Sequence, residues 1–341
     1  MLRDQLQTPL AVALVLLALA TWWHADFFGH ELLAEVAIFA IFAMSLDLIV
    51  GYAGMVSLGH AAFLAVGAYA TAAMTVFLGW PASLATLAAV LISAGAAALV
   101  GLFAVRLTGV FFIMITLAIG QMFYAYFFKS RPFGGDNGMS GITRPDLAAM
   151  GLDANDPVVF SAMMLLAAAV IYLLLRTVVR SPFGHMLVAI HQNESRLRSL
   201  GCPVRRFKLA AYVIAGTVGG LAGSLTAQHT GFISPDLAFW TVSGEVLIMV
   251  IVGGMGSLLG AAAGAALVIL MRHQLSDENT WQLLGLPGVM SNYWQFVMGI
   301  FFVLVVLFAA DGLYGRLSRL LQAARTNMAW RSRGDDPNVP R

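Results

Sequence analysis

The chain has 341 residues, of which 60% are hydrophobic and 11% charged, with a mean hydropathy of +0.84 and a formal net charge of +2. Soluble domains carry about a quarter charged residues, so this composition excludes a soluble globular protein. Its basic residues, gathered in a few loops, do not form the continuous stripe a nucleic-acid face needs, and its single cysteine, Cys202, excludes an internal disulfide or a multi-thiolate metal site.

What remains is an all-α polytopic membrane protein. Runs of small residues such as "AAFLAVGAYATAA", "LISAGAAALVG", "GTVGGLAGS" and "GAAAGAALV" allow helix backbones to approach closely in lipid. The dyad alternation of a membrane β-barrel is missing. The expected architecture is a single transmembrane domain over 1–310, a bundle of about 8 to 10 transmembrane helices at roughly 20 residues each, followed by a basic tail over 311–341.

The first predicted span, 9–23, ends in Trp22 and Trp23, which read as interfacial anchors; "LALAT" also permits a cleaved leader. The second, 32–50, contains Asp47, either an interfacial or helix-packing acid or a functional one. It runs into "GYAGMVSLG", whose glycines can unwind a helix at membrane depth where the backbone faces protein or a water-filled cavity. Ser57 and Gly59 there are candidate path-lining residues, with Phe63 and Phe112 as candidate gates in the spans 61–79 and 109–128. Between those two lies the span 82–104. The loop 129–156 carries "GGDNG", turn chemistry at Gly134 to Gly138, with Arg131, Asp136 and Arg144 as rim charges.

After the span 157–175 comes the segment 180–208, with six of the nineteen basic residues. Ser181 before Pro182 is a helix start and Gly201 with Pro203 a helix stop. Phe183, Met186, Leu187, Ile190, Leu197 and Leu200 recur at helical spacing, while His185, Gln192, Ser195, Arg196, Arg198 and Ser199 stay polar. This is one amphipathic helix, or two broken near Asn193 and Glu194. It lies on lipid headgroups or fits another protein's groove; the lone acid Glu194 favours a partner, whose arginine it can pair.

The span 209–227 follows, then 239–271, where Gly253, Gly254 and Gly256 divide the apolar run into two arms too short for ordinary spans, a broken or re-entrant segment. Its glycine, serine and leucine pattern echoes "GYAGMVSLG", and the two breaks are expected to face each other. Glu245 caps this segment or lines the outer mouth of a path, and Gly253, Gly254 and Ser257 are further path candidates. The last span is 293–310.

Lys and Arg set the orientation. With a cytoplasmic N-terminus, 15 basic residues fall inside, among them Arg3, Arg106 and those at 316, 319, 325, 331, 333 and 341, and four outside: Lys129, Arg131, Arg144 and Arg272. Both termini are therefore expected in the cytoplasm, with 239–271 starting and finishing outside. The seven histidines fall at span ends or in loops, against a proton-coupled carrier. Neither Lys129 nor Lys208 lies in a phosphate-binding P-loop, and no loop is long enough to form a ligand-capturing domain.

"AIHQNESRLRSLG" resembles the cytoplasmic coupling segment of the LivM-type permeases, the membrane subunits of branched-chain amino acid ABC importers. "GYAGMVSLGHAAFLAVGAYATA", "RLTGVFFIMITLAIGQ", "FGGDNGMSGI" and "IVGGMGSLLGAAAGAAL" are similar to that family's segments too, so the likeness runs from about residue 35 to 310. It implies a bacterial inner-membrane permease with no catalytic residues and no cofactor or metal of its own. It further implies a second homologous permease as heterodimer partner, two P-loop ATPase subunits that bind ATP and Mg, and an extracytoplasmic solute-binding protein. Phe183, His191, Asn193, Glu194, Arg196, Arg198 and Gly201 would couple the chain to the ATPase. His191 stands where the family usually has Arg, and Arg196 and Leu197 where it tends to alanine, which alters the expected fit. The substrate implied is a branched-chain or related small amino acid, with urea, amides and aromatic acids as the alternatives served by related permeases. An autonomous channel or secondary carrier would leave 180–208 without a purpose, and a membrane enzyme would show clustered His or carboxylates at one face.

Overall fold

The computed structural model describes residues 20–146, 151, 153–283, 288–308 and 312. Most of the first predicted span and nearly all of the basic tail lie outside the described residues. The described residues include twelve α-helices: α1 Phe27–Asp47, α2 Ala61–Ala72, α3 Ala82–Ala104, α4 Val110–Lys129, α5 Pro157–Arg180, α6 Pro182–Gln192, α7 Glu194–Ser199, α8 Val204–Thr230, α9 Trp240–Gly253, α10 Leu258–Ser276, α11 Glu278–Leu283 and α12 Trp294–Phe308. Helices α1 and α2 each continue through a wider, π-helical stretch, Leu48–Tyr52 and Ala73–Phe77.

Six of these helices are long and apolar enough to cross a membrane, and α2, α9 and the α12 region are shorter apolar helices. The chain is thus an all-α, multi-pass membrane protein. The predicted spans reappear with shifted ends: 32–50 begins at Phe27, 157–175 extends to Arg180, and 209–227 reaches from Val204 to Thr230. The extra turns carry charged residues such as Arg176 and Lys208, which hydropathy trims away although the helix continues past the apolar core.

Helix α2 is the hub. Every residue from Ala61 to Ala72 is buried, as a helix apolar all round requires. It packs against α3 and α8, and glycine makes that approach possible: a Cβ on Gly67 would overlap the Gly220 carbonyl, and one on Gly223 the Leu64 carbonyl. A buried polar chain stitches the three helices together. Thr71 Oγ1 donates to Ser224 Oγ at 2.7 Å, Ser224 to Thr86 Oγ1 at 3.0 Å, and Gln228 Nε2 to Thr86 Oγ1 at 2.6 Å. Each hydroxyl finds its partner on a neighbouring helix, as hydrocarbon depth demands.

Helix α1 runs between α5, α8, α9 and α10. At the end of the bundle opposite 180–208, a two-residue ladder pairs β1 (Met139–Ser140) antiparallel with β2 (Phe232–Ile233). There Arg144 donates to the carbonyls of Gln228 (3.3 Å) and His229 (3.2 Å), faces Glu31 at 3.5 Å, and lies 4.2 Å above the Phe160 ring. The predicted rim charge is a brace for the loop.

Helices α9 and α10 form an antiparallel hairpin with unequal arms: α9 has 14 residues, but α10 has 19 and is long enough to cross, which corrects the expectation of two arms too short for ordinary spans. Its turn falls at the predicted glycines, Gly254 and Gly256 holding φ of +110° and +75°. Gly253 packs on the Gly260 carbonyl and Gly264 on the Met249 carbonyl. The open ends are clamped by Arg272, which donates to Glu245 at 3.2 Å and to Glu35 of α1.

Candidate functional site

Two breaks in helical structure meet near the 180–208 end of the bundle. After Tyr52 the backbone is irregular through Gly59, and this stretch is packed inside the protein, the condition under which non-helical backbone survives at membrane depth. The hairpin turn sits directly against it. Asp47 Oδ1 accepts a hydrogen bond from the Gly256 amide at 2.8 Å, and a Cβ on Gly51 would overlap both that amide and the Asp47 carboxylate. The two glycine breaks therefore face each other, as their shared pattern led one to expect. Asp47 is a fully buried packing acid that holds them together.

The segment 180–208 folds as two short helices parted at Asn193. Ser181 Oγ accepts from the Gly184 amide at 3.5 Å and Asn193 Oδ1 from the Arg196 amide at 3.0 Å, capping α6 and α7 in turn. Gly201 takes the left-handed conformation, φ +79°, that ends the run. The expected use of the apolar face is corrected here. Leu187 and Ile190 are buried in the chain's own bundle, and Phe183 stacks on Phe207 of α8 at 5.7 Å. Those residues are covered by the chain itself, whereas Leu200 and Val188 stay exposed. What points outward is the polar ridge of His185, Gln192, Asn193, Ser195, Arg196 and Ser199, joined by Leu200, which the turn at Gly201 leaves 74% exposed.

Glu194 is also differently placed. Its carboxylate receives Lys208 Nζ at 2.5 Å and the Arg198 guanidinium, so its partners lie within the chain. Burial pushes this carboxyl up, but Lys208 and Arg198 outweigh burial and hold it below the ordinary glutamate value. Lys208, counted in the sequence only as a loop charge, is buried at the foot of α8 and fixes α7 to the bundle. Its helical spacing with Val204, Ala211 and Tyr212, all buried, is the signal that could have revealed this.

His191, in the last turn of α6, joins the coupling segment to the break. Its Nδ1 lies 3.2 Å from the Gly51 carbonyl. Gly54 holds φ +69°, and a Cβ there would stand 2.6 Å from the imidazole Cδ2. Beside this contact is a cavity of about 180 Å³ lined by Gly54, Val56, Thr108, Phe112, His191, Glu194 and Lys208 among others.

The path candidates divide into four places. Phe63 and Phe112 both meet the Tyr212 ring edge-on, at 5.5 and 6.0 Å, with Ser57 beside the Tyr212 side chain. Gly59 packs on the Thr116 carbonyl and Gly120 of α4. Gly253, Gly254 and Ser257 form the hairpin turn, where Ser257 Oγ caps α10 by accepting from the Gly260 amide at 3.2 Å. Glu245 stands apart, at the far end with Arg272. His60, read as a residue at a span end, is fully buried at the start of α2, stacked on Phe42 with centroids 5.2 Å apart and 2.8 Å from Ser45 Oγ.

Residues 28–306 match the family described as "Branched-chain amino acid transport system / permease component". The chain is 31% identical over 301 residues to the high-affinity branched-chain amino acid transport system permease protein LivM of Escherichia coli K12, covering 82% of this chain and 71% of that protein. The chain belongs to this permease family. A probable LivM permease of Methanocaldococcus jannaschii is 26% identical over 186 residues, about half of each chain. The xylose transport system permease protein XylH of Escherichia coli K12 is 28% identical over 128 residues, 35% of this chain and 29% of that one. No solved structure matches it. A permease component is one part of a transport system, so the polar ridge of 180–208 belongs to a protein that works with other chains.

Proposed function

We propose that this permease is one membrane subunit of an ATP-driven importer that carries branched-chain or related small amino acids across the bacterial inner membrane. The observation that supports this reading is the segment Pro182–Ser199: Leu187 and Ile190 of its apolar face are buried in the chain's own bundle, and its polar, arginine-bearing ridge is left exposed. Such a ridge is a docking surface for a soluble partner, and the permease family supplies its class, an ATPase. Arg196, Asn193, His191 and the ends around Phe183 and Gly201 form the coupling site; Glu194 and Arg198 hold its shape.

ATP and Mg bind to two partner ATPase subunits and not to this chain. A second, homologous permease completes the membrane unit, and an external binding protein presents the solute. The 180–208 face and both termini are cytoplasmic. Eight crossings, with the α9–α10 hairpin entering and leaving from outside, satisfy that orientation. Ser57, Gly59, Phe63 and Phe112 are packed within the chain and shape the path from behind, while Gly253, Gly254, Ser257 and Glu245 belong to the hairpin that closes it.

The test is uptake of labelled leucine by cells expressing the chain from its own locus with its neighbouring subunits. Leucine uptake that needs ATP and is competed by isoleucine and valine supports the reading. Competition by urea or xylose but not by isoleucine overturns the substrate, and uptake by the chain alone in liposomes without ATP overturns the importer.

A further inference from the structure

The coupling segment and the hairpin turn are joined by a short series of contacts, each requiring glycine. The edge of His191 rests on the Gly51 carbonyl and on Gly54. Gly51 is packed on Gly256 so closely that no Cβ fits. Asp47, one helical turn before Gly51, holds the Gly256 amide at 2.8 Å. Beyond it, Gly254 lies against Gly312, which follows α12. Residues 140 and 209 positions apart in sequence are thus linked without an intervening flexible side chain.

The two ends of the hairpin differ in a way that gives this series a direction. The far end is fixed by an ionic clamp, Arg272 between Glu245 and Glu35. The turn end is built from Gly253, Gly254 and Gly256, two of them at positive φ. Helix α9 has 14 residues and α10 has 19, about 21 and 28 Å at the helical rise, so the turn reaches the Gly51 break beside His191. A hairpin clamped at its far end, with a glycine turn packed on that break, is suited to pivot at the turn.

We infer that His191 transmits movement of the coupling segment through Gly51 and Asp47 to the turn of the α9–α10 hairpin, which is the moving gate of this permease. His191 is a positioning residue: it touches no nucleotide and no solute. The inference rests on the importer reading above, because the driving movement comes from the partner ATPase.

The experiment uses the assembled transporter in liposomes, with the chain carrying Cys202→Ser and spin labels at Met255→Cys, which is exposed beside the turn, and Leu78→Cys, exposed at the opposite end of α2. The distance between labels is measured without nucleotide and with trapped ATP, alongside uptake and ATP hydrolysis. With native His191 the distance changes on trapping. With His191→Ala, measured on the fraction that retains ATPase, the distance change is lost and uptake per ATP hydrolysed, a ratio that normalises for any ATPase lost from the coupling site, falls about tenfold, the size of a lost coupling of this kind. Gly54→Ala, whose methyl strikes the imidazole, has the same effect, and combining it with His191→Ala adds no further loss. A distance that does not change in the native transporter, or still changes in His191→Ala, overturns the inference, as does an unaltered ratio of uptake to hydrolysis. Failure of any ATPase to assemble with the chain overturns the importer reading instead.

Discussion

Asp47 and Gly256, 209 residues apart, are joined by a 2.8 Å hydrogen bond from the glycine amide to the aspartate Oδ1. It closes the contact between two interrupted helices near the 180–208 end of the bundle. A hydrogen bond to a carboxylate contributes about 1.5–3 kcal/mol. Asp47→Ala is therefore expected to destabilise the detergent-solubilised chain by about 2 kcal/mol, and Asp47→Asn, which keeps an acceptor of the same shape, by less. Thermal unfolding of the three proteins side by side checks the order.

The glycines separate into two classes. Gly51→Ala, Gly67→Ala and Gly223→Ala each drive a methyl into neighbouring backbone, and overpacking of this kind costs roughly 1–3 kcal/mol. Gly95 and Gly244 have nothing within 4 Å of the added methyl. Both lie inside helices, where alanine is favoured over glycine by about 0.5–1 kcal/mol. Unfolding midpoints are expected to fall for the first three and to hold or rise for the last two.

Glu194→Ala leaves Lys208 buried without its carboxylate. The cost is expected to be about 2 kcal/mol, below the ~3–5 of a fully buried broken pair because the Glu194 side chain keeps 22% exposure. Replacing both residues, Glu194→Gln with Lys208→Met, is expected to recover part of the loss. Double-mutant unfolding energies measure the difference.

The same pair sets a pH dependence. The folded Glu194 carboxyl lies below its unfolded value of 4.5, so the stability it adds is complete above that value and is lost as pH falls through the lower, folded one. A nitroxide at Ser199→Cys, in a Cys202→Ser background, is expected to show constant mobility through the neutral range. Its mobility rises only below 4.5, and in Glu194→Gln it is high throughout.

Arg272→Ala leaves Glu35 and Glu245 facing each other without their shared cation. The clamp between α1, α9 and α10 is expected to open, raising the labelling rate of a cysteine at Trp240, and Arg272→Lys is expected to keep only part of the protection because it lacks the guanidinium fork.

Much of this was legible in the sequence because hydrophobic runs, glycine clusters and cap residues act locally. Ser181 with Pro182, the break at Asn193 and the turn at Gly253 to Gly256 all stand where their backbone preferences place them. Long-range choices were not legible. An amphipathic pattern states that Leu187 and Ile190 will be covered, but not that their own bundle covers them. A charge count includes Lys208 among the basic residues of the loop, while the fold buries it against Glu194. The facing of the two glycine breaks could be anticipated from their likeness, yet the acid that ties them, Asp47, carried no mark in the sequence that set it apart from an interfacial group.

The internal role of Glu194 moves the decisive substitution to a residue on the exposed ridge. Arg196 points outward, and its backbone serves the fold, the amide through Asn193 and the carbonyl through Leu200. The measurement is the amount of ATPase recovered with the tagged chain, extracted in mild detergent from cells expressing its native partners, for the native sequence and for Arg196→Glu. The account expects ATPase with the native chain and roughly tenfold less with Arg196→Glu, at equal yield of permease, since reversing an interfacial charge costs at least about 1.4 kcal/mol. Equal recovery from both, or none from the native chain, would contradict it.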